Sequence, residues 1–578
     1  MAVRLTTYVV VGIVAATLIA GLIVGAQRDD SDGPVDLIVF NAVVYTADAS
    51  GTTAEAVAIR GNQILRVGSN REINRLRRPR TILLDALGGA VLPGFNDANV
   101  EFISGGLGLD AIDLIDAADA AEIEARIRTW ADANPDRTWV VGRGWAAELF
   151  PSGGPTRLAL DTAVPNRPAY LVSNDGRAVW VNSNALRLAR ITRKTPNPPG
   201  GVIVKDARTG EPTGVLKGAA VALAARLVPR PTHDERARAL RAAVAEAHRN
   251  GITSVQDAAG ADDLALYEEA RRAGGLNVRV YAAVPLGGAR TEHDIEMLDA
   301  LSSKYPDDPM FKAGSVRIAL DGSIESCEAA MLEPCGGSPD VPAGDTALSA
   351  DDLNRIARLL DARGWQITTA ATGDRAARMT LDAYEHAVRS NPRPQRERRH
   401  RLEHAAFIAD SDLPRLSRLN VIASVQPLAA APEQARIDAL MRTVGSERSA
   451  RAWPYASIAA AARPLALGTG WPAAPLNPMA AIHLAVNRTT FDGLPEGGWN
   501  PAERLPLKRA IQAFTSGPAY ASFDEQRKGS LTVGMLADLV VLSADIFGAP
   551  PSRLASTTVA VTIFDGKIVY RRNARSTN

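Results

Sequence analysis

The sequence predicts an α/β protein built on a (β/α)8 TIM barrel and carried behind an N-terminal transmembrane helix. Three observations predict this. Eight short apolar runs, most followed by helical periodicity, are spread through the middle of the chain. The gap between the first two runs is too long for one crossover helix, so an insertion of about residues 107–216 follows the first barrel strand. From Leu5 to Gln27 there is no charged residue.

That last run comes first in the chain. As a helix rising 1.5 Å per residue it would reach roughly 30 to 35 Å, enough to cross a bilayer. Arg4 precedes it, while Arg28, Asp29, Asp30 and Asp32 follow, which places the N-terminus in the cytoplasm and the body on the extracytoplasmic, periplasmic side. The expectation is a single-pass anchor in the cell membrane through residues 5–27. The rival is a cleaved signal peptide with Val24-Gly25-Ala26 as its small-residue site, which would leave a secreted or periplasmic protein. Residues 1–34 thus form an anchor or signal segment with its linker.

Strands are expected over Val35 to Tyr45 and Ala56 to Val67, then at Thr81-Ile82-Leu83-Leu84-Asp85 and Gly89-Ala90-Val91-Leu92. The barrel runs follow: Phe95 to Phe102, Ile252 to Ala258, Val278 to Val284, Val316 to Gly322, Gln366 to Thr372, Arg401 to Ala406, Val421 to Pro427 and Pro464 to Gly470. Strand-like patterning returns within Gly529 to Leu542 and at Val559 to Tyr570 with a turn at Asp565-Gly566.

The totals exclude several classes. Lysine plus arginine number 65 against 64 acidic residues, which removes a global electrostatic argument for nucleic acid. Two cysteines exclude a disulfide scaffold and a Cys-rich zinc module, and seven histidines are few for a metalloprotein.

The stretch Val91-Leu92-Pro93-Gly94-Phe95-Asn96-Asp97-Ala98-Asn99-Val100-Glu101 resembles the first barrel strand of the metal-dependent amidohydrolases, where Pro-Gly-Phe leads to His-x-His. Trp139 to Trp145, Asp175 to Leu186 and Gly251 to Asp257 narrow the resemblance to amidohydrolase family 3, the branch that includes N-substituted formamide deformylases. The resemblance implies a composite β-sandwich of residues 35–92 with 527–578, flanking a barrel of residues 93–526. It also implies a metal site at the C-terminal strand ends, and here that site is altered. Asn99 and Glu101 replace the paired histidines. Arg317 stands where a carboxylated lysine would be, Ala370 replaces a histidine ligand, and Gly470 replaces the aspartate that ligates metal and acts as base. Of the set only His404 survives, and Arg177 replaces a further histidine in the insertion.

Zinc needs three to four nitrogen, sulfur or oxygen ligands, so no metal and no other cofactor is expected. The sequence therefore reads as a membrane-anchored amidohydrolase-like protein that is non-catalytic, a binding or assembly scaffold for a small molecule or a protein partner. Its binding candidates are Glu101, Arg177, Arg317, Asp321, His404 and Trp471. The alternative is an active zinc hydrolase of carbon-nitrogen bonds in a small amide, recruiting Glu101, Asp321, Glu325 and His404. Asp374 reads as an N-cap, Asp257 and Asp321 as loop anchors, and Trp180, Trp365 and Trp471 as wall or core. Two pairings are expected: a disulfide between Cys327 and Cys335, in a segment where the family has other residues, and a Glu101–Arg317 ion pair in the space the family gives to metal.

Overall fold

The computed structural model describes residues 34–572 apart from 151–153, 175, 177, 289–290, 325, 336–343, 395 and 463. The apolar run 5–27 lies outside the described residues, and so do Arg177 and Glu325. Among the described residues no helix is long and apolar enough to cross a membrane.

Eight parallel strands stand side by side in chain order: Phe95–Val100, Ile252–Ala258, Arg279–Pro285, Phe311–Ala319, Gln366–Ala371, Arg401–His404, Ile422–Val425 and Ala466–Leu467. They form a nearly closed barrel. The last strand is short, and the seam to the first is made beyond it by a bridge between Val100 and Trp471 and by backbone bonds from Gly470 to Asn99 (3.0 Å) and from Glu101 to Trp471 (2.8 Å). Gly468 makes that seam possible, because a Cβ there would lie 2.6 Å from the Asn99 nitrogen.

Helices cover the barrel, and their sequences set their starts. Thr232 and Glu235 form a capping box before helix His233–Arg249, and Ser349 caps Ala350–Ala362 through the Asp352 N–H. Asp374 departs from its expected role. The cap of helix Asp374–Ser390 is Gly373, while the Asp374 carboxylate accepts from the Leu332 N–H at 2.7 Å and ties the preceding loop down.

Two further layers flank the barrel. Both chain ends contribute to one six-stranded sheet, in which Ala90–Pro93 pairs parallel with Val43–Tyr45 on one side and antiparallel with Leu539–Leu542 on the other. A four-stranded sheet of Leu37–Phe40, Ala56–Arg60, Gln63–Gly68 and Ile82–Asp85 packs on it through Leu37, Val57, Val91, Leu539 and Ile563. After the first barrel strand, residues from Ile112 to Gly218 build a separate six-stranded sheet with an apolar cluster on each face. Trp180 is wholly buried in one of them, its indole N–H on the Thr156 carbonyl.

One buried charge cluster joins barrel and sandwich. Arg279, at the start of the third barrel strand and 2% exposed, donates to both carboxylate oxygens of Asp538 (2.6 and 3.1 Å) and to Asp565 (2.9 Å), and stacks over Phe564. Removing one partner of a buried pair leaves the other uncompensated. Arg279→Ala is therefore expected to destabilise the protein by about 3 kcal/mol. Urea denaturation checks this, and an unchanged midpoint would show that the cluster carries little.

Candidate functional site

The C-terminal ends of the barrel strands enclose a cavity of about 390 Å³, within the range of small-molecule sites. Arg317, Asp321, Ala370, His404 and Gln426 line it together with the apolar Ile324, Ala406 and Trp453. A second cavity of about 400 Å³, lined by Leu465, Arg509 and Lys528, opens before the eighth strand and holds none of the six positions where the resemblance puts the metal site, Asn99, Glu101, Arg317, Ala370, His404 and Gly470. Reacting groups in such barrels sit at the C-terminal ends, so the first cavity is the candidate site.

The strand geometry decides which side chains reach it. Along the fourth strand Ser315 and Arg317 share the inner face, and the Ser315 hydroxyl meets Thr368 at 2.7 Å inside the barrel. Arg317 therefore points inward, in register with Thr368. Ala370 pairs with Ala319 and contributes only a methyl group to the wall. His404 ends the sixth strand with φ at 69°, and Ala405 follows at 42°, an unusual left-handed pair that turns the imidazole over the cavity. The imidazole Nδ1 lies 2.7 Å from the Gln426 carbonyl oxygen, whose amide group donates to the Ser424 carbonyl, so Nδ1 is the donor of the pair. Burial lowers the pKa of His404 and favours a neutral ring.

Beneath the cavity lies a void of about 10 Å³, bordered by Asn99, Gln256, Arg317, Arg401 and Glu403. A hydrogen-bonded network centred on Glu403 fills this interior, with the Arg401 Nε left unpartnered. Arg401 donates to Glu403 at 2.6 Å, to the Ala98 carbonyl at 2.8 Å and to Gln256, and the Asn99 amide donates to the other Glu403 oxygen at 2.5 Å. Arg401 and Glu403 are two residues apart on the inner face of one strand, a period-2 signal that was available in the sequence and went unused. Gln426, directly after the seventh strand and two residues past the inward Ser424, carried the same signal, whereas Trp453 carried none, since a loop brings it to the cavity.

The Glu101–Arg317 pair is not formed. The first strand ends at Val100, and Glu101 takes the position before helix Phe102–Leu109, where its backbone N–H bonds to Trp471 and its side chain is exposed. Residues 99 and 101 therefore do not share a strand face. Trp471 is also absent from the cavity wall: it is 4% exposed, edge-on to Phe102 at 5.8 Å and against Gly105. The expected disulfide is absent too. Cys327 and Cys335 are free thiols, with Cys327 held in a left-handed turn at φ 55°, and burial together with the Cys327 side chain pushes the Cys335 thiol up to about 12. Both aspartates read as anchors have that role. Asp321 accepts from the N–H groups of Ala330, Thr372 and Gly373 at 2.8 to 2.9 Å. Asp257 accepts from the Phe102 N–H at 2.7 Å and the Tyr267 hydroxyl at 2.6 Å.

These residues do not fit a metal ion. Among the six positions Ala370 and Gly470 offer no side-chain donor atom, Arg317 is a cation, Asn99 is committed to Glu403, and Glu101 faces solvent. His404 alone remains. Among the described residues no three histidine, cysteine, aspartate or glutamate side chains come together as a ligand set.

Burial pushes the pKa of Asp257 up to about 7 despite its two donors. A carboxylate whose folded pKa is raised binds its proton in the native state at pH values where the unfolded chain has lost it. That stabilisation is complete below pH 4 and is lost as pH rises through about 7. Stability should therefore fall by at most about 1.4 kcal/mol per pH unit across that window from this group. Asp257→Asn should flatten the decline in unfolding free energy between pH 4 and 7, and an unchanged pH profile would contradict the assignment.

Comparison with known proteins agrees with this architecture. Residues 83–570 match the model described as "Amidohydrolase family". The chain is 30% identical to Protein LONG AFTER FAR-RED 3 of Arabidopsis thaliana, over 93% of this chain and 91% of that protein. It is 28% identical to N-substituted formamide deformylase of Arthrobacter pascens, over 93% and 98% of the two chains. The fold is shared with an uncharacterized metal-dependent hydrolase from Pyrococcus furiosus at a TM-score of 0.69 and 22% identity, covering 87% of this chain and 97% of that one. With its barrel, its composite sheet and a family match over most of its length, this chain belongs to the amidohydrolase family.

Proposed function

We propose that this protein is a membrane-tethered amidohydrolase-family member that performs no metal-assisted hydrolysis and uses the barrel mouth as a small-molecule binding site. The observation that carries this reading is the donor set. Of six ligand positions only His404 keeps the family's ligand, the carboxylate at Glu101 faces solvent, and the residue replacing the general base is Gly470. Metal-assisted hydrolysis needs both a coordinated water and a group to take its proton, and the altered site supplies neither.

What remains favours binding. The cavity is preformed, has a polar floor and an apolar side, and two of its polar groups, Asp321 and His404, are held by backbone and side-chain hydrogen bonds. The exposed Glu101 and the anchored Asp321 leave no carboxylate poised above the neutral His404.

The decisive measurement pairs metal analysis of the purified full chain with hydrolysis assays on N-formyl and N-acetyl amines. Substoichiometric zinc, and no turnover that a chelator abolishes, are expected. Stoichiometric zinc with chelator-sensitive turnover would overturn the reading in favour of an active carbon-nitrogen hydrolase. The tether is tested separately. The full chain should stay with the membrane pellet after alkaline carbonate extraction, whereas a chain starting at residue 34 should be released. Release of both would leave residues 5–27 without an anchoring role.

A further inference from the structure

Among the described residues two charged side chains line the barrel-mouth cavity beside the neutral His404, and one of them is satisfied. Asp321 accepts three backbone N–H groups. The Arg317 side chain has neither a hydrogen bond nor an ion pair among the described residues. Arg317 borders both the cavity and the small void beneath, so it stands in the floor between them. The carboxylates bordering that void are already held, Glu403 by Arg401 and Asn99 and Asp257 by the Phe102 N–H and the Tyr267 hydroxyl. A half-buried cation without a counterion is costly unless something supplies one.

We infer that the cavity binds a small monocarboxylate, its carboxylate on Arg317 and an apolar body against Ile324, Ala406 and Trp453. This rests on the reading of the barrel mouth as a metal-free binding site. Three observations select the chemistry. The guanidinium fork matches a carboxylate with two parallel N–H donors. The volume of about 390 Å³ lies toward the small end of ligand sites, so an acid with a short apolar chain or one ring fits better than a nucleotide. A dianion such as phosphate would set its second charge against Asp321 and Glu403, whereas one negative charge is balanced by Arg317.

The test uses hexanoate and benzoate, with hexanamide, benzamide and inorganic phosphate as comparisons, titrated into the full chain by calorimetry. Both carboxylates should bind saturably, and the uncharged amides should bind about 10- to 100-fold more weakly, the value of hydrogen bonds to a charged partner. Arg317→Gln should lose that preference, and Arg317→Lys, which keeps the charge without the fork, should fall between. Should Arg317→Gln not fold, the wild-type ranking and Arg317→Lys decide the matter. Amides binding as well as acids, or phosphate binding more tightly than either, would overturn the assignment while leaving the metal-free reading intact. Chelator-sensitive hydrolysis of either amide would instead sink the underlying reading.

Discussion

The barrel interior depends on how Glu403 is neutralised. A carboxylate 3% exposed at the centre of a barrel must be paired, hydrogen-bonded or protonated. Here Arg401 supplies the charge and Asn99 a further donor, while Arg401 also reaches Ala98, Gln256 and Ser424. The first, second, sixth and seventh strands are thereby fixed to one group. With the electrostatics closed among protein atoms, the mouth above is free to keep a cation, and the space that a methyl group at Ala370 leaves open becomes part of the cavity.

Much of the architecture was legible because it rests on periodicity. The eight barrel runs each contain or overlap an observed strand, and the first-strand insertion appears as its own sheet. The inward position of Arg317 was expected from the resemblance, which puts it where a carboxylated lysine would be, and the strand's alternation accounts for it. Glu101 was misplaced for the same reason, since alternation was extended one residue past the strand end, where Val100 gives way to a helix and the backbone turns to bond Trp471. Trp471 followed it, because the seam of the barrel buries its ring against Phe102. The cysteines show another limit: proximity in sequence brought the thiols to the same turn, and nothing in the spacing specified the left-handed backbone at Cys327.

The amidohydrolase family fold survives these substitutions because few of its supports pass through the altered positions. Arg279 with Asp538 and Asp565 joins barrel to sandwich, and Asp257 and Asp321 hold strand ends to the loops that follow. Chemistry at the strand ends can therefore change while the scaffold stays, the separation of stability and function between the two faces that barrels of this type allow.

The composite sheet also places a demand on biosynthesis. Ala90–Pro93 emerges early but finds its partner Leu539–Leu542 only after about 450 further residues. At the ribosome's 5 to 20 residues per second that is a wait of roughly half a minute to a minute and a half. Throughout it, a fully buried apolar strand of the finished protein has an unpaired edge, a template for wrong pairings. Any chain cut short before Leu539 keeps that edge for good, so the strand Leu539–Leu542 acts as a built-in quality mark: only molecules that reach it can hide the edge.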